Sequence, residues 1–369
     1  MMDPRVEKLA DLLVRYSTEI KKGDKVLIQG VSSADPLIRA VYRSVLLQGG
    51  HPFLNLTLPG LDEIFYKYAT DEQLDFLPPP LLLSVETYDA SISVLGHLNT
   101  RALNRVEPAR IARYRQGRRQ FMDIFMKRAA EGALKWVITL YPTNAYAQEA
   151  EMSLSDYEDF VYRACLPEEG DPVDYWKNLS RRQEKICQWL TGKREIRILA
   201  PGTDLSLSIE NRRFISCDGR HNMPDGEIFT GPVERSTEGY VTFTYPAIYE
   251  GREVKGIFLR FKEGKVVEAK AEKNEALLQQ MILTDEGAAY LGEFALGTNE
   301  GIKEFTREIL FDEKIGGTFH VALGAGYPET GSLNHSAIHW DMICDLRKGG
   351  EVWVDGTIIN KNGQFTLSF

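Results

Sequence analysis

Glu227, Glu293, Glu313, His320, His339 and Asp341 are the side chains of this sequence best suited to hold a divalent cation. Neutral imidazole with carboxylate is the donor set that binds zinc, cobalt or manganese in hydrolytic sites. His339-Trp340-Asp341 is the most compact piece of the set. Residues two apart on a strand share a face, so His339 and Asp341 can reach one ion from an extended segment. Four of the six histidines (His221, His320, His335, His339) follow residue 220, which places the chemistry in the C-terminal half.

The local settings differ in how much they say alone. Glu227 follows the turn Pro224-Asp225-Gly226, where a glutamate is ordinarily solvated. Glu293 lies in AAYLGEFALGTN, and an ionised carboxylate among such neighbours is costly unless paired or bound to metal. His320 sits in the apolar run TFHVALG, where a lone histidine is ordinarily a satisfied core residue. Tyr327 follows Gly324-Ala325-Gly326, a flexible approach that can place its hydroxyl in a cavity. The force lies in the combination, because polar ligands in apolar frames give a bound ion a dry wall and a strong field. Six candidates exceed what one ion takes. Two ions about 3.5–4 Å apart, sharing a carboxylate, would use them. Such a pair would activate a water and polarise a carbonyl. A remaining carboxylate could act as general base, and Tyr327 could stabilise an oxyanion.

The elements that must position these residues fall into two patterns. After an amphipathic opening helix, MMDPRVEKLADLLVRY, the first half alternates strands and helices. KVLIQG (25–30) is a strand, and Asp35 and Pro36 stand as N-cap and N1 of the next helix, LIRAVYRSVLLQ. PFLNLTL (52–58), ASISVLG (90–96), a long basic helix around 104–132 and ALKWVITLY (133–141) follow. This predicts an α/β domain with an open, mainly parallel sheet. Residues 152–191 read as two helices, the first capped by Ser153 and the second closed by Gly192. From 194 onward the pattern is β: EIRILAPG, DLSLSI, RRFISCDG, YVTFTYPAIY, then KGIFLRF and KVVEAKAE joined as a hairpin at Glu263-Gly264. A helix over 274–285 and strands TFHVALG, EVWVDGTII and FTLSF complete a β-rich α+β domain carrying the metal site. The expected domains are 1–192 and 193–369.

Composition narrows the function classes. The 369 residues carry a net charge of -9, the reverse of what a general nucleic-acid surface needs. Hydrophobic residues at 43% and charged at 26% are ordinary for a soluble globular chain. No stretch has the length of a membrane span or the apolar core of a secretory signal, so no membrane partner and a cytoplasmic location are expected. Cys165, Cys187, Cys217 and Cys344 form no CxxC pair and read as free thiols, with Cys344 a small buried hydrophobe. Gly30 is followed by VSSADP, neither GxGxxG nor GxxxxGK, which disfavours a nucleotide site. The Arg/Lys cluster from Arg101 to Lys127 reads as a solvated helix face.

The segments NMPDGEIFTGP, LGEFALGTN, LFDEKIGGTFHVALGAGYPETG and SAIHWDM resemble metallo-aminopeptidases of the aminopeptidase T type, with the AmpS and PepS enzymes. The resemblance spans the chain and keeps the motifs in order. It implies metal ligands at Glu227, Glu293 (bridging), His320, His339 and Asp341. It further implies a catalytic helper at Tyr327 and a catalytic or metal-associated role for Glu313. Implied with these are two divalent ions (zinc, cobalt, manganese or magnesium), short peptide substrates, and a homodimer whose C-terminal domains enclose the site. One departure stands out: many relatives have two consecutive glutamates where this chain has Gly226-Glu227, so the first acidic position is lost or moved to Asp225. The expectation is an aminopeptidase. The alternatives are a metal-dependent amidase or esterase on a non-peptide substrate, and a non-catalytic binding protein of the same fold.

Overall fold

The computed structural model describes residues 3–249 and 251–368. The chain divides into two compact units, Met1–Val173 with Gly219–Pro224, and Asp174–Asp218 with Asp225–Phe369.

In the first unit, the strands Lys25–Val31, His51–Thr57, Ala90–Leu95 and Lys135–Leu140 pair in parallel, and Asn222–Met223 adds a fifth. Val26, Ile28, Ile92, Val94 and Val137 are buried, as near-continuous apolar runs should be in a parallel sheet covered by helices. Two local expectations are corrected. The helix Asp35–Leu47 starts at Asp35 itself, after a 3₁₀ turn over Ser32–Ala34, so Asp35 sits inside it and pairs with Arg39 rather than capping it. The basic stretch forms two helices, Pro108–Gly117 and Arg119–Ala130. Gly117 lies so close to the Asp75 backbone that a Cβ there would come within 2.7 Å of its carbonyl oxygen. Met1 and Met2 of the expected opening helix lie outside the described residues; Pro4–Leu12 is helical, capped by Asp3.

The second unit holds an eight-stranded and a five-stranded antiparallel sheet. The larger runs in the order Lys265–Lys270, Phe258–Lys262, Glu238–Thr242, Thr203–Ser208, Glu195–Ala200, Glu351–Val354, Thr357–Lys361, Gln364–Phe365. Its first two strands form the expected hairpin, with Glu263 and Gly264 both at positive φ (50° and 79°) as a tight two-residue turn requires. Phe369, the end of the expected strand FTLSF, lies outside the described residues. The helix Pro172–Leu190, expected in the first domain, is grouped from Asp174 onward with the second unit. The reason is packing: Ile186 and Leu190 belong to that unit's hydrophobic core.

The five-stranded sheet positions the chemistry. Its order is His339–Asp345, Thr318–Gly324, Leu291–Gly297, Glu227–Thr230, Ile215–Cys217. Residues directly opposite in an antiparallel ladder share a face. Gly324 pairs with His339 and Ala322 with Asp341; Glu293 pairs with Ala322, Ala295 with His320, and Gly297 with Glu227. One face therefore carries Glu227, Glu293, His320, His339 and Asp341, with Ala295, Gly297, Ala322 and Gly324 between them. The other face carries Ile228, Phe294, Leu296, Phe319, Val321, Leu323, Trp340, Met342 and Cys344. These join inward residues of the larger sheet, such as Ile198, Leu205, Leu259 and Val352, in one core. Phe294→Ala should destabilise the protein by about 3–5 kcal/mol, read as a lowered urea midpoint; an unchanged midpoint would contradict the packing of this face.

Candidate metal centre

Both faces of the central strands are buried, so the polar face has little water to solvate its charges. Glu227, Glu293 and His320 are each at most 5% exposed. The Glu293 carboxylate lies between two imidazoles: Oε1 is 3.4 Å from His320 Nε2, and Oε2 is 3.2 Å from His339 Nε2. Glu227 Oε2 approaches His320 Nε2 to 3.3 Å, and Asp341 Oδ1 approaches His339 Nε2 to 3.4 Å. His339 Nδ1 donates to the Ala325 carbonyl oxygen at 2.8 Å, which fixes the ring and leaves Nε2 facing the carboxylates.

Glu313 follows the short helix Ile309–Asp312 and brings a carboxylate oxygen to His320 and Asp341. Thus all six expected donors converge. They form overlapping triads: Glu227, Glu293 and His320; Glu293, His339 and Asp341; and Glu313, His320 and Asp341, the donor atoms of each within 4.8 Å of one another. Tyr327 packs its ring edge-on against His339 and Phe229, both at 5.2 Å between centroids. As a residue it is 40% exposed, so its ring edge borders the site rather than filling it.

The electrostatics follow from concentrated like charge in a dry place. Burial raises the pKa of Glu227 well above the usual carboxylate range, against Lys314, and the Glu313 charge adds to the rise. Burial likewise raises Glu313. Burial also presses upward on Glu293, but hydrogen bonds from His320 and His339 outweigh it and hold the acid below its ordinary range. Asp341 is lowered in the same way, burial being outweighed by the charge on His339. Burial disfavours the imidazolium forms, yet the surrounding carboxylates push His320 up to about 9 and His339 up to about 12. Desolvation and the nearby carboxylates raise the Tyr327 phenol, which keeps it a hydrogen-bond donor. The face as a whole calls for positive charge.

A divalent cation fits that demand. Glu227 Oε2 and Asp341 Oδ1 are buried without a hydrogen bond, an arrangement disfavoured unless something else satisfies such atoms. Small residues between the donors leave room. The donors are oxygen and imidazole nitrogen, which suit zinc, cobalt and manganese.

Two features carry weaker marks in the sequence. Lys314 is fully buried, contacts Glu313 Oε1 and lies 3.9 Å from Glu227 Oε1. Its signal was a lysine in the apolar, glycine-rich frame EKIGG. Gln183, also fully buried, donates to the carbonyl oxygens of Cys217 and Glu227 and to Thr298 Oγ1, and accepts from Ser216 Oγ. Its signal was position, since Leu179, Gln183, Ile186 and Leu190 form the buried stripe of one helix. Asp225 is buried too, and its carboxylate groups with Cys217 and Glu227. Gly226 beside it has φ 122°, and a Cβ there would come within 2.7 Å of the Asn299 Cβ. A second glutamate has no place at that position in this chain. Cys344 lies on the core face, away from the donors.

A family model described as thermophilic metalloprotease (M29) matches residues 2–365. Aminopeptidase 2 of Geobacillus stearothermophilus is 25% identical over 98% of this chain and 95% of its own length. Aminopeptidase T of Thermus thermophilus is 27% identical over 88% of this chain and 85% of its own. The solved structure of wild-type AmpT from Thermus thermophilus superposes with a TM-score of 0.86 at 24% identity, covering 100% of both chains. A 2,5-dihydroxypyridine dioxygenase from Pseudomonas putida shares the fold at a TM-score of 0.64 and 11% identity, over 98% of this chain and 97% of its own.

Two outcomes are expected. Ala322→Leu places a branched side chain between Glu293 and Asp341, and should weaken zinc binding by at least about tenfold in calorimetry while far-ultraviolet circular dichroism stays unchanged. Wild-type affinity would show that the face has no use for its small residues. Because both imidazoles titrate above neutral pH without a cation, coordination at pH 7 must expel protons. Zinc affinity should therefore fall as pH is lowered from 9 to 6, with proton release visible in buffers of different ionisation heat. Binding without proton release would contradict the protonated imidazoles.

Proposed function

The chain belongs to the thermophilic metalloprotease family M29, and from that premise we propose that it is an aminopeptidase that removes the N-terminal residue from short peptides, using two divalent cations. The curated relatives named as aminopeptidases support the reaction class. The observation that carries the two-cation reading is Glu293, whose two oxygens face different imidazoles, each imidazole flanked by a further carboxylate. A carboxylate so placed is suited to bridge, with Glu227 and His320 on one side and His339 and Asp341 on the other. Bound there, divalent cations supply the positive charge that polarises a peptide carbonyl and acidifies water.

The remaining groups take the remaining work. Glu313 is the carboxylate left over, and it serves as proton acceptor and then as donor to the departing amine. The Tyr327 phenol, held protonated by its surroundings, donates a hydrogen bond to the oxyanion that develops from the carbonyl. A free, neutral amine is a donor that the cation-loaded face would accept and an internal amide nitrogen is not, which would select the end of a peptide over its interior. A homodimer whose C-terminal domains enclose the site would restrict access to short substrates, and it belongs to the same proposal.

The test is hydrolysis of leucine-, alanine- and arginine-aminoacyl chromogenic substrates by protein stripped with EDTA and reloaded with zinc or cobalt, beside N-acetylated controls. Activity should vanish on stripping, return on reloading, and require the free amine. No hydrolysis despite bound metal would point to a non-peptide amidase or esterase, or to a binding role. Partners outside the ligand shell typically matter about 10–100-fold, so Glu293→Gln should lower turnover by at least about 100-fold with the fold retained. Near-normal turnover would remove Glu293 as a bridging ligand. His339→Ala should lower metal content in elemental analysis; unchanged stoichiometry would make His339 structural.

A further inference from the structure

Cation binding makes no use of Lys314, yet this ammonium lies fully buried among the donors. A buried charge of this kind persists only when paired. Its partners are Glu313, in direct contact, and Glu227 Oε1 at 3.9 Å. The backbone that aims it is pinned on both sides: Lys314 N donates to the Phe311 carbonyl oxygen at 3.0 Å, and the Lys314 carbonyl oxygen accepts from Asn299 N at 3.2 Å. Asn299 Nδ2 in turn donates to the Asp225 carbonyl oxygen at 2.7 Å, which ties the same segment to the turn before Glu227. The direction of the lysine is therefore set by the frame that sets the direction of Glu227. Without it, Glu313 would stand beside His320 and Asp341 as one more unanswered carboxylate, in competition for the cations.

We propose that Lys314 is a positioning residue that fixes the Glu313 carboxylate and answers its charge within the protein, reserving Glu313 for proton transfer and leaving cation binding to Glu227, Glu293, His320, His339 and Asp341. The inference rests on the aminopeptidase reading and on the role given there to Glu313. Of its two carboxylate partners Glu313 is the one in direct contact and Glu227 Oε1 the more distant at 3.9 Å, so the effect of Lys314 on turnover is expected to run through Glu313.

A double-variant cycle on the cobalt-loaded enzyme tests it, using the leucine chromogenic substrate. Lys314→Met should lower kcat on the order of 100-fold, the scale of general acid–base assistance, with KM changed less than about threefold and cobalt content unaltered. Glu313→Gln should behave alike. The double variant should fall no more than about threefold below Glu313→Gln, because groups that act as one unit are not additive. Multiplicative losses, a near-normal kcat for Lys314→Met, or its loss of cobalt would each overturn the proposal. Should Lys314→Met fail to fold, the double variant, in which Glu313 is neutral and Glu227 keeps His320 at 3.3 Å, is expected to fold and to match Glu313→Gln. Its failure to fold would show that the contact with Glu227 outweighs that with Glu313, and would also overturn the proposal. If the wild-type protein cleaves no aminoacyl substrate, the aminopeptidase reading falls by itself. Thermal unfolding of the four metal-stripped proteins still reports on the pair: the double variant should recover part of the loss seen in the singles, and additive losses would end the positioning role.

Discussion

The Glu293 carboxylate is held between His320 and His339 on a strand with no solvent on either face. A carboxylate there is tolerable only with positive charge on both of its oxygens, and much of the second unit is arranged around that requirement. The strands on either side supply the imidazoles, the outer carboxylates enclose them, and alanine and glycine at intervening positions keep the space open. The opposite face holds these strands flat against the core with phenylalanine, leucine and tryptophan, so the polar face can be crowded with like charge without the sheet moving away. Packing energy on one face sustains electrostatic tension on the other.

Lys314 and Gln183 are supporting parts of the same design. The lysine meets two carboxylates, Glu313 and Glu227, and the glutamine donates to the backbone acceptors of Cys217 and Glu227. Each is a buried polar group with its partners present, the condition under which such groups stiffen a site rather than weaken it. Lys314 is in contact with a carboxylate of the candidate site, and Gln183 holds the backbone of the strand that begins at Glu227.

The fold by itself does not choose the chemistry. A dioxygenase shares it across nearly the whole length at 11% identity, whereas the M29 family match and the aminopeptidase relatives follow the sequence. In the proposed function the chemistry resides in the side chains at a few register positions of one sheet, while the fold is shared with a protein of a different name.

Much of this was legible in the chain. Alternating apolar runs and helices gave the parallel sheet, the β pattern after residue 194 gave the antiparallel one, and Glu263-Gly264 gave its hairpin, because these rest on local periodicity and turn conformation. The helix at Pro172–Leu190 was readable as a helix but not as part of the second unit, since no local pattern says which core an amphipathic stripe will join. The helix break falls at Arg118, next to a glycine that packs on the backbone of Asp75, and that contact is far away in sequence. In the site, residue types and apolar frames marked Glu293, His320, His339 and Asp341 as donors, and a two-residue spacing put His339 and Asp341 on one face. Glu227 looked like an ordinary solvated residue after a turn, and only the register Gly297 to Glu227 brought it under cover. Sequence by itself determined the family, and it marked the candidate donors and the alternation of His339 and Asp341. The tertiary structure alone decided that they share one buried face and that Lys314 stands among them, because burial and charge pairing arise between strands and cannot be read along one.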